Sequence, residues 1–280
     1  MRDVPNILSI AGSDPSGGAG IQADLKTIQA TGGYGLAALT ALTAQNTHGV
    51  RGVHVPPPAF LRDQLDAISE DIEIDAVKIG MLATADVTDV VTQWIGSLPT
   101  QPVIVLDPVM VATSGDRLLD AAAERALAAL LDASDVVTPN LPELAALAGE
   151  HEAVTWSEAC AQARRVAEDH DVLVLAKGGH LPGDACPDAL VDARGAIAEF
   201  DGPRIRSTST HGTGCSLSAA LASLQVQTGD WASSARLARQ WVRGAIEGAA
   251  ALDVGRPGGH GPLDHAHALR RGRTRRHRVA

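Results

Sequence analysis

Short apolar runs that end in glycine or polar residues alternate with longer segments of helical period, and the alternation continues to about residue 250. Strand then helix, repeated at this spacing, builds crossover units on a parallel sheet with helices packed on both faces. Strands are predicted over 6–11, 75–79, 102–106, 135–138 and 172–176, with helices over 20–31, 58–71, 84–97, 121–132 and 156–170. The segment 185–206 reads as a hairpin turning at Arg194-Gly195 that supplies antiparallel edge strands. Two helices follow, at about 214–227 and 230–250, before the Gly/Pro-rich stretch GRPGGHGP ends the pattern. The expected fold class is α/β, a three-layer αβα arrangement around a central, mostly parallel sheet. With no internal repeat and no low-complexity linker, 1–269 reads as a single domain and 270–280 as a basic tail.

A chain of 280 residues buries roughly 75% of the surface it exposes when unfolded, so its core needs neither disulfides nor a structural metal. The formal net charge of -10 argues against a general nucleic-acid binder, whose affinity rests on a surplus of Lys and Arg. The seven aromatic residues are scattered without basic interleaving, which leaves a base-stacking platform unsupported. A small anionic ligand in a local positive pocket stays compatible with this balance. Six arginines crowd into 270–278 without hydrophobic periodicity, the pattern of a solvated tail, with a nucleic-acid or membrane arm as the minority reading. Cys160, Cys186 and Cys215 make an odd count without CxxC spacing, which fits a reducing compartment and argues against zinc. The first residues lack the form of a secretory signal, and no stretch of about 18 uninterrupted apolar residues exists to span a bilayer. A soluble, cytoplasmic protein is expected.

In an open α/β sheet, ligands sit outside the carboxyl ends of the strands, where loops and helix N-termini converge. Five unusual segments fall there: GSDPSGGAG, IGM, DPVM, TPNLPE and KGGH. The first matches GxGxxA through Gly18, Gly20 and Ala23, but a dinucleotide site needs an acid about 20 residues later. No Asp or Glu lies between Asp24 and Asp63, so the dinucleotide reading is rejected, and no GxxxxGK[ST] phosphate loop is present. What remains is a glycine-rich turn able to close on a small or flat ligand, with Asp24 in the next helix. A tight strand-helix connection explains the glycines equally well.

His211-Gly-Thr-Gly-Cys215-Ser216 precedes an amphipathic run and so puts consecutive backbone N–H groups at a helix N-terminus. Such a terminus holds anions, and its partial positive charge lowers the pKa of a thiol, making Cys215 a candidate proton acceptor. The alternative is a small buried packing residue. Asn140 and Glu143 are spaced as a capping pair, yet the same amide and carboxylate suit a hydrated Mg²⁺ accompanying a nucleotide. Asp107 follows a buried apolar strand, where a cation or a phosphate-linked water network would justify its charge. Lys177, one of only three lysines, stands before Gly178 as a point charge for phosphate. Gln45 can offer a heterocycle a donor and an acceptor in one plane, with an ordinary loop glutamine as the alternative.

Taken together, IAGSDPSGGAGIQADLKT, ALTAQNTHGV, VKIGML, LDPVMVATSGD, TPNLPE, LAKGGH and HGTGCSLSAAL resemble the hydroxymethylpyrimidine/phosphomethylpyrimidine kinases, a ribokinase-like family of thiamine biosynthesis. The similarity runs from about residue 4 to about 267. It implies ATP and Mg²⁺, and two successive phosphorylations, of 4-amino-5-hydroxymethyl-2-methylpyrimidine and then of its monophosphate. It further implies that Gly12, Asp24, Gln45, Met81 and Val109 recognise the pyrimidine, while Gly212, Gly214 and Cys215 form the catalytic anion hole with Lys177. Asn140, Lys177 and Thr213 would bind the nucleotide, Asp107 and Glu143 would organise Mg²⁺, and the assembly would be a homodimer. Two other functions are weighed: a pyridoxal or pyridoxine kinase, and a ligand-binding homologue that has lost transfer. Segments 111–117 and 181–188 are candidates for a mobile cover.

Overall fold

The computed structural model describes residues 2–110 and 121–270 of the chain. In order, the elements are β1 (Asn6–Ser13), α1 (Gly20–Ala30), β2 (Tyr34–Asn46), β3 (Gly49–His54), α2 (Pro58–Ser69), β4 (Ala76–Ile79), α3 (Ala85–Ser97), β5 (Val103–Leu106), α4 (Ala121–Asp132) and β6 (Val136–Val137). The chain continues through α5 (Leu141–Ala148), α6 (Trp156–His170), β7 (Leu173–Lys177), β8 (Asp188–Asp192), β9 (Gly195–Phe200), α7 (Thr213–Thr228) and α8 (Trp231–Gly248). The strands form one nine-stranded sheet in the order β3-β2-β1-β4-β5-β6-β7-β8-β9. Pairings from β2 through β7 are parallel, and β3, β8 and β9 join antiparallel at the edges.

The central strands are apolar on both faces because helices cover both. Successive side chains alternate across a strand, so Ile7, Ala76, Val105 and Val136 face one layer while Leu8, Val77, Ile104 and Val137 face the other. The first layer holds α1, α7 and α8, with Ile28, Leu217, Leu221, Ala238 and Val242 at its core. The second holds α2 to α6, with Leu61, Leu65, Val91, Trp94, Leu130, Leu144 and Val166 buried. Lys78, two residues after Ala76, points by the same alternation into the first layer, where an ammonium group needs a partner.

The predicted edge hairpin forms as β8 and β9. The hairpin β2–β3 has no counterpart in the sequence reading, and Gln45 is therefore a strand residue, paired with Val50. Helix α5 is also additional, although its capping pair was expected. A loop from Gly255 to His265 closes the fold across the sheet's carboxyl end. His260 N–H donates to Thr47 O at 2.7 Å, His211 N–H donates to Gly261 O at 3.1 Å, and His265 Nε2 lies 3.1 Å from Ser216 Oγ. No helix among the described residues is long and apolar enough to cross a membrane.

Candidate active site

Adjacent parallel strands end side by side, which brings β5, β6 and β7 and the residues after them to one place. Lys177, the last residue of β7, has its Nζ 3.2 Å from Asp107 Oδ1 and 4.0 Å from Glu143 Oε2. Thr138 Oγ1 donates to Asp107 Oδ1 at 3.1 Å, and Ser218 of α7 donates to Oδ2 at 3.4 Å. Burial alone would weaken the Lys177 ammonium, but Asp107 and Glu143 outweigh it and hold its pKa above the ordinary value. Glu143 is driven up to about 7, chiefly by burial, with Lys177 opposing and Asp107 reinforcing the shift.

The capping reading of Asn140 and Glu143 is realised in full. Glu143 N–H donates to Asn140 Oδ1 at 2.9 Å, and Asn140 N–H donates to Glu143 Oε2 at 2.8 Å, which closes a capping box on α5. The box fixes the carboxylate beside Lys177, so one pair of residues both ends a helix and shapes the site. Among the described residues no group of three or more His, Cys, Asp or Glu is arranged to hold a metal by itself. Mg²⁺ commonly binds through one or two carboxylates and completes its shell with water and substrate phosphate oxygens. Asp107 and Glu143 on either side of one ammonium fit that donor set.

Helix α7 opens over this cluster. Its N-cap, Gly212, is left-handed at φ +82° and offers no side-chain cap to the first amides. A Cβ on Gly212 would fall 1.8 Å from Gly18 O, so both the conformation and the close approach of the first loop require glycine. A Cβ on Gly214 would stand 3.4 Å from both Asp107 Oδ2 and Lys177 Nζ. The bend therefore faces the Asp107–Lys177 pair, and no acidic residue lies in the first turn of α7. Thr213 turns its hydroxyl inward, donating to Thr210 O at 2.7 Å.

Cys215 departs from the expectation of a thiol made acidic by a helix terminus. Burial drives it up to about 11, although Lys78 and a hydrogen bond from the Gly20 amide both favour the thiolate. Asp24 departs as well. It is fully buried under the site, where its Oδ2 accepts from Lys78 Nζ at 2.8 Å and from Ser9 Oγ at 2.6 Å. Asp24 has no exposed surface to offer a pyrimidine directly, and its partner Lys78 is equally buried. The sequence reading gave Lys78 no role. Its partner lies 54 positions away in another element, and no spacing rule joins them.

The remaining candidates gather on the other side of the α7 bend. A Cβ on Gly12 would lie 3.2 Å from Met81 Sδ, which places β1 and the loop after β4 together. Met81 is held through its carbonyl by Thr40 Oγ1 at 2.6 Å, and Val109 N–H closes a tight turn on Asp107 O at 2.8 Å. The end of the Gln45 amide lies 3.4 Å from His211 Nε2, and the same Nε2 lies 2.8 Å from Asp14 Oδ2. Asp14 is held down to about 2: burial opposes this, but His211, Ser16 and the Ala19 amide outweigh it. Asp14 and the ring of His211 are further residues that the sequence reading did not assign.

Two peripheral expectations change. The 181–188 segment is no free cover: Arg204 donates to the carbonyls of Leu181, Gly183 and Gly179, and Cys186 N–H donates to Gly202 O. Arg270, expected in a solvated tail, pairs with buried Asp264 at 3.0 Å. The 111–117 candidate and the arginines after 270 lie outside the described residues.

Sheet order, flanking layers and a glycine-bounded helix terminus facing Lys177 define a ribokinase-like fold of the kind that carries small-molecule kinases. The sequence profile of the phosphomethylpyrimidine kinase family matches residues 14–264, and the chain belongs to that family. It is 47% identical to the hydroxymethylpyrimidine/phosphomethylpyrimidine kinase of Escherichia coli K12, over 94% of this chain and 98% of that one. It is 51% identical to the thiamine biosynthesis multifunctional protein ThiED of Corynebacterium glutamicum, over 95% of this chain. The chain spans about a third of the length of that relative, 35%. Among solved structures, the pyridoxal kinase of Staphylococcus aureus in complex with ADP superposes with a TM-score of 0.85 at 29% identity, covering 96% of each chain.

Proposed function

We propose that this protein transfers the γ-phosphoryl group of ATP to the hydroxymethyl oxygen of 4-amino-5-hydroxymethyl-2-methylpyrimidine, and then a second phosphoryl group to the resulting monophosphate. The observation that carries this reading is the glycine-bounded N-terminus of α7 set against the Asp107–Lys177 pair, which brings helix amides, an ammonium group and a carboxylate able to hold a cation together. Phosphoryl transfer needs chiefly alignment and charge neutralisation, and this arrangement supplies both. The new O–P bond forms as the bridging bond to the β-phosphate breaks. The Gly214 and Cys215 amides and Lys177 take up charge on the transferring oxygens, with Asn140 and Thr213 on the nucleotide side. A preorganised donor of this type contributes about 3 kcal/mol in other enzymes. Asp107 and Glu143 would hold Mg²⁺, which when bound neutralises charge between the phosphates.

Gly12, Gln45, Met81 and Val109 form the pyrimidine side. The hydroxyl proton can pass to Cys215 only as thiolate, and burial, which holds the thiol up to about 11, keeps it protonated near neutrality. Base catalysis is thus the smaller contribution. The protein is proposed to act in the cytoplasm, as a homodimer. Mass spectrometry of products from the pyrimidine alcohol with Mg-ATP tests the reading. Sequential monophosphate and diphosphate support it, and absence of both refutes it. Likeness to a pyridoxal kinase favours a second reading, phosphorylation of pyridoxal. A kcat/KM larger for pyridoxal than for the pyrimidine would establish that alternative.

A further inference from the structure

Gln45 stands between two groups whose hydrogen-bonding capacities are already decided. His211 Nε2 lies 2.8 Å from Asp14 Oδ2. A carboxylate accepts and cannot donate, so Nε2 carries a proton directed at Asp14. Asp14, held to about 2, is ionised at any working pH. With that proton directed at Asp14, Nε2 has no lone pair to accept with, so the atom of Gln45 that faces it at 3.4 Å cannot be a donor. On the other side, Thr43 Oγ1 gives its single proton to Ser13 O at 2.7 Å, and the Gln45 amide atom 3.2 Å from that oxygen must be a donor. Amide oxygen and nitrogen are assigned from such networks, because their shapes are nearly identical. Both contacts require the same orientation: carbonyl oxygen toward His211, NH₂ toward Thr43.

We infer that His211 and Thr43 are positioning residues that lock the Gln45 amide in one orientation and thereby set which heterocycle the site accepts. This rests on the pyrimidine reading above and names the edge it uses. The amide oxygen then keeps lone-pair capacity and the amide nitrogen keeps one hydrogen for a ligand. The complementary ligand edge is an amidine, an exocyclic amino donor on the His211 side next to a ring nitrogen acceptor on the Thr43 side. A ring bearing an exocyclic oxygen and a ring N–H presents the reverse order and meets like against like. Ser13 follows Gly12, and His211 precedes Gly212, so the two clamps are continuous with the ligand loop and the anion hole. His211 is itself wedged, since a Cβ on Gly18 would lie 2.4 Å from its Cδ2.

The test compares kcat/KM for the 4-amino pyrimidine alcohol and its 4-oxo counterpart, with Mg-ATP, in the parent enzyme and in Thr43→Val, Thr43→Ser and His211→Phe. A reversed, buried hydrogen-bond pair costs roughly tenfold to hundredfold, so the parent enzyme is expected to prefer the amino compound by about two orders of magnitude. In Thr43→Val, which keeps the shape and removes the oxygen, the preference falls below about tenfold, chiefly through KM for the amino compound. Thr43→Ser, which retains the oxygen, keeps the preference, and His211→Phe loses it independently of any folding effect at position 43. Unchanged preference in both Thr43→Val and His211→Phe overturns the inference alone. No turnover of either alcohol by the parent enzyme overturns the pyrimidine reading and this inference with it.

Discussion

Lys78 Nζ donates to Asp24 Oδ2 at 2.8 Å with both side chains fully buried, so an ion pair joins β4 to α1 inside the fold. Burial pulls the Lys78 ammonium down, but Asp24, Cys215 and Asp107 together hold its pKa above the ordinary range. Breaking a buried pair from one side leaves an uncompensated charge, which costs about 3–5 kcal/mol. Lys78→Met is expected to lose that amount in urea denaturation, and adding Asp24→Asn to recover part of it. The same single variant should slow alkylation of Cys215 at pH 9, because Lys78 favours the thiolate.

Cys215, at about 11, is a protonated thiol near neutrality. If its thiolate accepts the hydroxyl proton, kcat of the parent enzyme climbs with pH from 7 toward 10, while Cys215→Ala is flat and its deficit widens. At neutral pH the variant lowers kcat more than it raises KM. Parallel pH profiles for the two proteins would remove the thiol from proton transfer.

Glu143 carries two roles that one substitution separates. Gln at the third helical position also completes a capping box, so Glu143→Gln should leave the melting temperature within a few degrees of the parent, roughly 1 kcal/mol or less. The loss of one carboxylate next to Lys177 should raise the Mg²⁺ concentration that half-saturates turnover. A large fall in melting temperature with unchanged Mg²⁺ dependence would leave Glu143 as a cap only.

His265 is pushed down to about 4, mainly by burial and then by the charge of Lys26. Its unfolded value is near 6.5, so below that pH the unfolded chain takes up a proton that the folded chain refuses. Stability should therefore be complete above pH 6.5 and fall as pH drops toward 4, by about 3 kcal/mol in total. Chemical denaturation across that range measures it, and His265→Gln should flatten the dependence.

The parallel core and five site loops were legible because buried strands read as uninterrupted apolar runs and their ends are marked by Gly80, Asp107, Asn140 and Gly178. The β2–β3 hairpin was not. Its first strand mixes Ala37, Ala38, Ala41 and Ala44 with Leu36, Leu39 and Leu42, and only Thr40 and Thr43 are β-branched, so neither β-branched enrichment nor a clear period of two marks it. Lys177 and the α7 bend stood out by residue type and position. The buried Lys78–Asp24 pair and the Asp14–His211 contact did not, because each joins residues 54 or 197 positions apart. The acidity expected of Cys215 followed from its place on a helix, whereas the desolvation that overrides it depends on packing from α1 and β4.

The loop from Gly255 to His265, which follows α8, buttresses Thr47, His211 and Ser216. During synthesis, the glycine turn after β1 leaves the ribosome long before the segment that braces the opposite wall. A nascent chain with its first seven strands already paired would still lack the contacts that this loop makes with Thr47, His211 and Ser216.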